Sequence, residues 1–436
     1  MARRMFLKDV VGVFNSNVFS LVCGLLLSVL LTRELGPEGF GLFTSLLVIP
    51  LIVVSITNLG VRGAAIYLIG QKKIPEQDIV SAILSLLLIS SFAGIIMSFF
   101  AYRVYDDPGF TFLLTGLVLA VIPFRLALVF FGGIFIGKDE IRKANRLNWP
   151  INLINLALAA LLVWGLKMDV TGAVVSVLAA NMLVAIFGFV ELSNHFRLSF
   201  RFDLLIIRKL FLLGILFSAS FFIIMLNFRV DIVLLERMRN LQEVGFYSLG
   251  VNIAEQLWQI PLAISIILFS RTANTDDPHA MTAKTLSLTR ASLILAICLA
   301  VIIFLVAPMV IPLVFGLKFI PSILLLQVIL PGIVLMIIFR ILSGQLAGMG
   351  KPQLSIYVFA PALVLNIGLN YWFIPRYGAL GAAIATNISY AAGAAGYWII
   401  FARYTGCGYL EIIRFRKEDM RVITDLIPKL LNKWKN

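Results

Sequence analysis

Residues 110–137 read FTFLLTGLVLAVIPFRLALVFFGGIFIG, a stretch whose single charge is Arg125. A helix crosses the hydrocarbon core with roughly 20 apolar residues, so this segment has the length of a membrane span. A guanidinium at the centre of such a helix costs at least about 2.5–3.5 kcal/mol. The same Phe-Arg pair recurs as Phe339-Arg340 in a second apolar stretch, 322–346. Each arginine precedes a Gly-Lys by about a dozen residues, Gly137-Lys138 and Gly350-Lys351. A chain that accepts this cost twice is expected to bind something negative inside the membrane.

The rest of the chain agrees with lipid as solvent. It is 61% hydrophobic and 13% charged, with a mean hydropathy of +1.00. A soluble protein of this length cannot hide so much apolar surface. The net charge of +14 would suit a nucleic-acid partner, but the basic residues cluster at span ends, the pattern that records membrane orientation. No nucleic acid is expected. Cys23, Cys298 and Cys407 are scattered, and His195 and His279 fall in connections without a second ligand at metal spacing, so neither disulfides nor a metal site is expected. The basic start MARRMFLKDV leads into a long apolar run and reads as a retained first helix rather than a cleaved signal.

Hydropathy predicts twelve spans, at about 10–32, 39–60, 77–102, 110–137, 147–166, 170–191, 209–235, 243–270, 285–307, 322–346, 353–374 and 379–402. Residues 308–321, with Pro308, Pro312 and Pro321, read as an irregular connection. One side carries 26 Lys and Arg, counting Arg62, Lys72 and Lys73 in the connection after span two, against 7 on the other. This bias predicts both termini in the cytoplasm of a multi-pass cell-membrane protein. No connection is long enough for a soluble domain. Residues 404–436 place Met420, Ile423, Ile427, Leu430, Leu431 and Trp434 at helical spacing among basic residues, which suits either a helix on the anionic leaflet or a solvated tail.

The chain repeats itself. LGPEGFGLFTSL (35–46) is echoed by NLQEVGFYSLGV (240–251), TGAVVSVLAAN (171–181) by LGAAIATNISY (380–390), and the Phe-Arg pairs by each other. Six spans per half give both halves one orientation, with a pseudo-twofold along the membrane normal. The expected organisation is a six-helix lobe over 1–203, a second over 204–403 and a basic amphipathic tail over 404–436. Gly344-x-x-x-Gly348 and the Gly/Ala face of span twelve suit close helix packing. Pro50, Pro123, Pro261, Pro331 and Pro361 are expected to kink or loosen their spans.

LLTRELGPEGFGLF, NFRVDIVLLERMRNLQEVGFYSLG, LAGMGKPQ and GALGAAIAT resemble the polysaccharide-lipid flippases of the multidrug/oligosaccharidyl-lipid/polysaccharide exporter superfamily, over nearly the whole chain. The resemblance implies an all-α membrane fold of two six-helix lobes in a MATE-like V shape. It also implies flipping of polyprenyl-linked oligosaccharides from the cytoplasmic to the outer leaflet. Its partners would be the lipid-linked oligosaccharide, membrane lipids, and polysaccharide polymerase and assembly proteins.

A diphosphate crossing the bilayer needs cationic partners, and arginine binds phosphate oxygens bidentately while keeping its charge. Arg125 and Arg340 are the candidates. The alternative is that each is held by a neighbouring carboxylate or helix-end carbonyls and fixes packing. In span seven, Asn227 and Asp231 share a helix face, whereas Arg229 points about 200° away from Asp231. Asn227 and Arg229 join the substrate candidates. Asp231 and Glu255 are candidates for coupling to Na+ or H+, with a polar anchor as the alternative for Asp231. Asn15, Asn17, Asn152, Asn155, Asn366 and Asn370 suit either sugar hydroxyls or hydrogen bonds between helices. Trp149, Trp258 and Tyr247 read as interface anchors rather than sugar platforms. No P-loop, GxSxG or HExxH motif occurs, so no cofactor and no enzymatic activity is expected. The same-superfamily alternative is a cation-coupled multidrug exporter. The rival from another class is a membrane-embedded polymerase or glycosyltransferase, which needs longer outer loops than these.

Overall fold

A computed structural model describes residues 2–105, 109–273, 277, 281–412 and 414. Among them every regular element is helical. The order is α1 (Ala2–Thr57), α2 (Val61–Gln71), α3 (Glu76–Tyr105), α4 (Phe112–Gly137), α5 (Ile141–Arg146), α6 (Trp149–Ala159), α7 (Asp169–Ser193) and α8 (Leu204–Met238). It continues with α9 (Leu241–Glu255), α10 (Gln259–Ala273), α11 (Thr282–Val310), α12 (Pro321–Gly348), α13 (Leu354–Tyr377) and α14 (Ala379–Thr405). The basic tail expected over 404–436 lies almost wholly outside the described residues.

Ten helical stretches among the described residues are long and apolar enough to cross a membrane. Two places account for the difference from twelve. The first stretch, Phe19–Gln71, has 53 residues and contains both of the first two expected spans. α14 has the length, at 27 residues, but its Gly, Ala, Asn and Tyr content dilutes its apolarity.

Spans one and two meet without a loop. Gly36 alone leaves helical geometry (φ 67°, ψ −176°), and Pro37 opens the next helical segment, where its missing N–H costs nothing. The segment 308–321 is also less irregular than expected. Pro308 lies inside α11, Ile311–Phe315 continues it as a wide helical turn, and Pro321 opens α12, leaving the break at Gly316 (φ 104°) and the short turn Leu317–Phe319. Of the prolines expected to kink their spans, Pro261 follows the tightened turn Gln256–Trp258 that separates α9 from α10. Pro50, Pro123, Pro331 and Pro361 all sit within continuous helices.

The break that matters most separates α1 from α2. Asn58 Nδ2 donates to the carbonyls of Val54 (3.0 Å) and Ser55 (2.8 Å), and Asn58 Oδ1 accepts from Gly60 N–H (2.8 Å). This Asx turn satisfies the carbonyls of the ending helix. Gly60 then takes φ 63°, a left-handed conformation that suits glycine. It also abuts α8, because a Cβ on Gly60 would fall on the carbonyl of Gly214.

By contact the chain divides into Met1–Gly245 with Val314–Phe319, and Phe246–Leu313 with Ile320–Asn436. In the first unit α2, α3, α4 and α7 share a core that includes Ile83, Leu126, Phe130, Ile134 and Val184. α8, which the repeat assigns to the second half, packs on α1 and α2 here. The connection from α7 to α8 is fastened to α3. Gln77 exchanges hydrogen bonds with the backbone of Arg197, Ser81 Oγ meets Ser199 Oγ at 2.9 Å, and Ser85 Oγ donates to the Arg201 carbonyl at 3.0 Å. Side chains four apart on a helix thus meet alternate residues of an extended segment.

In the second unit small residues set the spacing. Gly344 lies against Ser265, which brings α10 onto α12, and Gly393 and Gly396 lie against Phe359 and Val358, which brings α14 onto α13. Asn387 Oδ1 accepts from the N–H of Gly332 at 2.7 Å, tying α14 to α12.

Candidate functional site

Each arginine of the repeated pair follows a phenylalanine that packs inward. Phe124 packs against the first unit's core, and Phe339 is buried beside Phe359 and Tyr397, with ring centroids 4.3 and 4.9 Å away. The arginines themselves differ. Arg125 is half-buried in the middle of α4 and, among the described residues, makes no hydrogen bond, ion pair or ring contact. Among the described residues no carboxylate or helix-end carbonyl holds it. Arg340 lies with its guanidinium 3.9 Å from the centroid of the Trp258 ring. Trp258 is buried and donates from Nε1 to the Ile333 carbonyl at 2.9 Å, so its indole face is a fixed platform for the cation. Trp258 is therefore not an interface anchor, and neither is Tyr247, which is buried with its hydroxyl 3.2 Å from Thr386 Oγ1.

A third arginine was misplaced by hydropathy. Arg62 reads from sequence as part of a connection, yet it lies in the first turn of α2, inside the apolar stretch that ends at Gln71. It is exposed and, among the described residues, has no hydrogen-bond, ion-pair or ring partner. The available signal was Asn58-Leu59-Gly60, a turn dipeptide pattern that breaks span two before the arginine rather than ending it.

On α8, Asn227 and Asp231 are both fully buried on one face, and Asp231 Oδ1 accepts from the Ile232 N–H at 2.8 Å. Arg229 is half-buried. Glu236, absent from the sequence reading, is a further buried carboxylate on this helix, close enough to Tyr102 to act on it electrostatically. Glu255 is half-buried at the end of α9, where the helix tightens through Gln256–Trp258 before α10 begins.

The asparagines mostly bridge helices. Asn155 on α6 is buried and accepts from Ser176 Oγ on α7 at 2.7 Å, and Asn152 donates to Ser20 Oγ on α1. Asn370 Nδ2 donates to Asn366 Oδ1 at 2.8 Å within α13. The side chains of Asn15 and Asn17 lie outside the described residues. Among the described residues no three His, Cys, Asp or Glu side chains gather as a metal site would require.

The fold has known counterparts. The inward closed structure of the lipid II flippase MurJ is similar with a TM-score of 0.74 at 15% identity, over 92% of this chain and 89% of that one. An inward-facing MATE family multidrug resistance transporter of the MOP superfamily is similar at 0.68 and 17% identity, over 90% and 94%. A MOP superfamily transporter from Pyrococcus furiosus gives 0.66 and 16%, over 92% and 95%. In sequence, an uncharacterized membrane protein of Methanocaldococcus jannaschii is 23% identical over 402 residues, covering 88% of this chain and 94% of its own length. Residues 6–271 match the polysaccharide biosynthesis protein family, and this multi-pass membrane chain, with the fold of MOP superfamily transporters, belongs to that family.

Proposed function

We propose that this chain is a flippase that moves an anionic, polyprenyl-linked oligosaccharide from the cytoplasmic to the outer leaflet by alternating access. The observation that carries this reading is Arg125, a guanidinium inside a span with no protein partner among the described residues. A cation left unpaired at that depth is expensive unless a ligand or water serves it. A phosphate-bearing substrate supplies the missing charge. Arg340 differs in resting on Trp258, whose ring face holds a cation at a fixed place in its span. The bias of basic residues supports cytoplasmic termini, and the sequence repeat supports a division into two six-helix halves near residue 203. Family membership supports a place beside polysaccharide polymerase and assembly proteins. Export of amphipathic cations fits less well, because cation sites are built from carboxylates and aromatic faces without an unpaired arginine.

The test is a leaflet assay in proteoliposomes with a fluorescent polyprenyl-pyrophosphate sugar. Protection of the probe from a membrane-impermeant quencher should change with time only in vesicles that hold the protein. Transport of a lipophilic cation with no movement of the lipid sugar sinks the reading.

Coupling falls to Asp231 or Glu255. Asp231 is the stronger candidate, being fully buried one helical turn from buried Asn227. Asp231→Asn keeps the shape and removes the charge. We expect it to abolish the response of flipping to an imposed proton or sodium gradient while a slow, gradient-independent exchange persists. Unaltered gradient dependence in both Asp231→Asn and Glu255→Gln overturns this assignment.

A further inference from the structure

Exposed helix faces in this protein are mostly greasy, as a lipid-facing surface should be. On α3 they are Leu88, Ile89, Phe92, Ile96 and Phe100, and on α8 Leu204, Leu205, Leu212 and Phe221. α2 is different. Its apolar residues Val61, Ala65, Leu68 and Ile69 are buried, and the face it exposes is Arg62, Gly63, Tyr67, Gly70 and Gln71. That face is polar and small, on an 11-residue helix that ends the apolar stretch beginning at Phe19.

We propose that Arg62 is a second anion station, which takes the phosphate headgroup of the lipid-linked substrate before Arg125 does. The proposal rests on the flippase reading above. Its geometry comes from the packing of α2 on α4. A methyl on Gly133 would lie 2.9 Å from Arg62 Cα and 3.3 Å from its Cγ, so the stem of Arg62 crosses α4 where that helix has no side chain. One turn further on, Gly137 lies equally close to Ile66 and Ile69. The two helices therefore run parallel and in register. Arg125 stands eight residues before Gly133, a rise of about 12 Å. Between them Gly132, on nearly the same face as Arg125, fronts open space, since a Cβ there meets no atom within 4 Å.

Several features make Arg62 suited to phosphate. Its charge is unopposed by any carboxylate among the described residues. It sits in the first turn of α2, where the helix dipole favours an anion. Gly63 beside it faces open space, so a bulky headgroup can approach the backbone. α2 ends at Lys72 and Lys73, which the charge bias assigns to the cytoplasm, so Arg62 lies nearer that side than Arg125. Arginines whose backbone positions are separated by about 12 Å along α4 divide the crossing into shorter steps, each with a cationic partner.

The test measures binding to purified full-length protein in detergent by calorimetry, with a short-chain polyprenyl pyrophosphate and, separately, inorganic pyrophosphate. Arg62→Gln should weaken the lipid form by roughly 10- to 100-fold, the usual effect of losing a charge-assisted hydrogen-bond donor. Arg62→Lys should recover part of the loss, and Arg103→Gln, an arginine stacked on Phe99 at the far end of α3, should change nothing. Unchanged affinity in Arg62→Gln, with a loss in Arg125→Gln, overturns this inference and leaves the flippase reading intact. No loss in either variant sinks both. Inorganic pyrophosphate bound as tightly as the lipid form also overturns the proposal, since the station would then serve a soluble anion. Because Arg62 is exposed, Arg62→Gln should keep the unfolding temperature of the wild type.

Discussion

Vesicles carrying the Arg125→Ala, Arg340→Ala double variant should flip the fluorescent lipid sugar at least about a hundredfold more slowly than wild type, with the protein present in the membrane at the same level. Each charge-assisted hydrogen bond to phosphate contributes roughly 1.5–3 kcal/mol, so losing two removes 10²-fold or more. Arg125→Ala should not harm the fold. Arg125 has no protein partner to leave behind among the described residues, and deleting an unpaired buried charge removes a cost instead of adding one. The single variants should differ. Arg340→Ala also uncovers the Trp258 face and is expected to lower the unfolding temperature slightly, whereas Arg125→Ala is expected to raise it or leave it alone. Full transport by the double variant refutes the anion-carrier mechanism.

The second large effect is structural. Gly60→Val should cost about 4 kcal/mol or more and sharply reduce the yield of folded protein. Two penalties add. A β-branched residue resists the positive φ that Gly60 adopts, and its Cβ would occupy the position of the Gly214 carbonyl on α8. Gly63→Ala, three residues on and facing open space, is the internal control and should have a small effect. A Gly60→Val protein with an unfolding midpoint like that of wild type would mean that α2 and α8 are not pressed together at this turn.

The membrane class, the helical fold and the family were legible because they rest on many residues at once. Hydropathy over 20-residue windows averages out local error, and the repeated motifs agree in order. What failed were judgements that depend on one residue. The prolines expected to kink their spans behave unequally, since Pro50, Pro123, Pro331 and Pro361 lie within continuous helices, Pro261 follows the tightened turn Gln256–Trp258, and Gly36 and Gly60 supply breaks of their own. In a membrane helix the freed carbonyl can be served by neighbours, so proline bends more readily than it breaks. Arg62 was assigned to a connection because it falls just past the end of expected span two, and only the turn at Asn58–Gly60 reveals that a helix resumes before it. The Phe-Arg repeat lies in two helices long and apolar enough to span, but it gave no sign that one arginine lies on a tryptophan while the other has no partner among the described residues. That difference belongs to residues 80 or more positions away in the chain, beyond the reach of any local pattern.

The polar face of α2 has a further consequence for which substitutions the protein will accept. α10, by contrast, exposes Ile260, Leu262, Ile266, Ile267 and Phe269, an oily surface that many substitutions of similar volume will satisfy. A saturation scan should therefore find α10 permissive and the exposed face of α2 exacting, because only the latter would answer to the cargo.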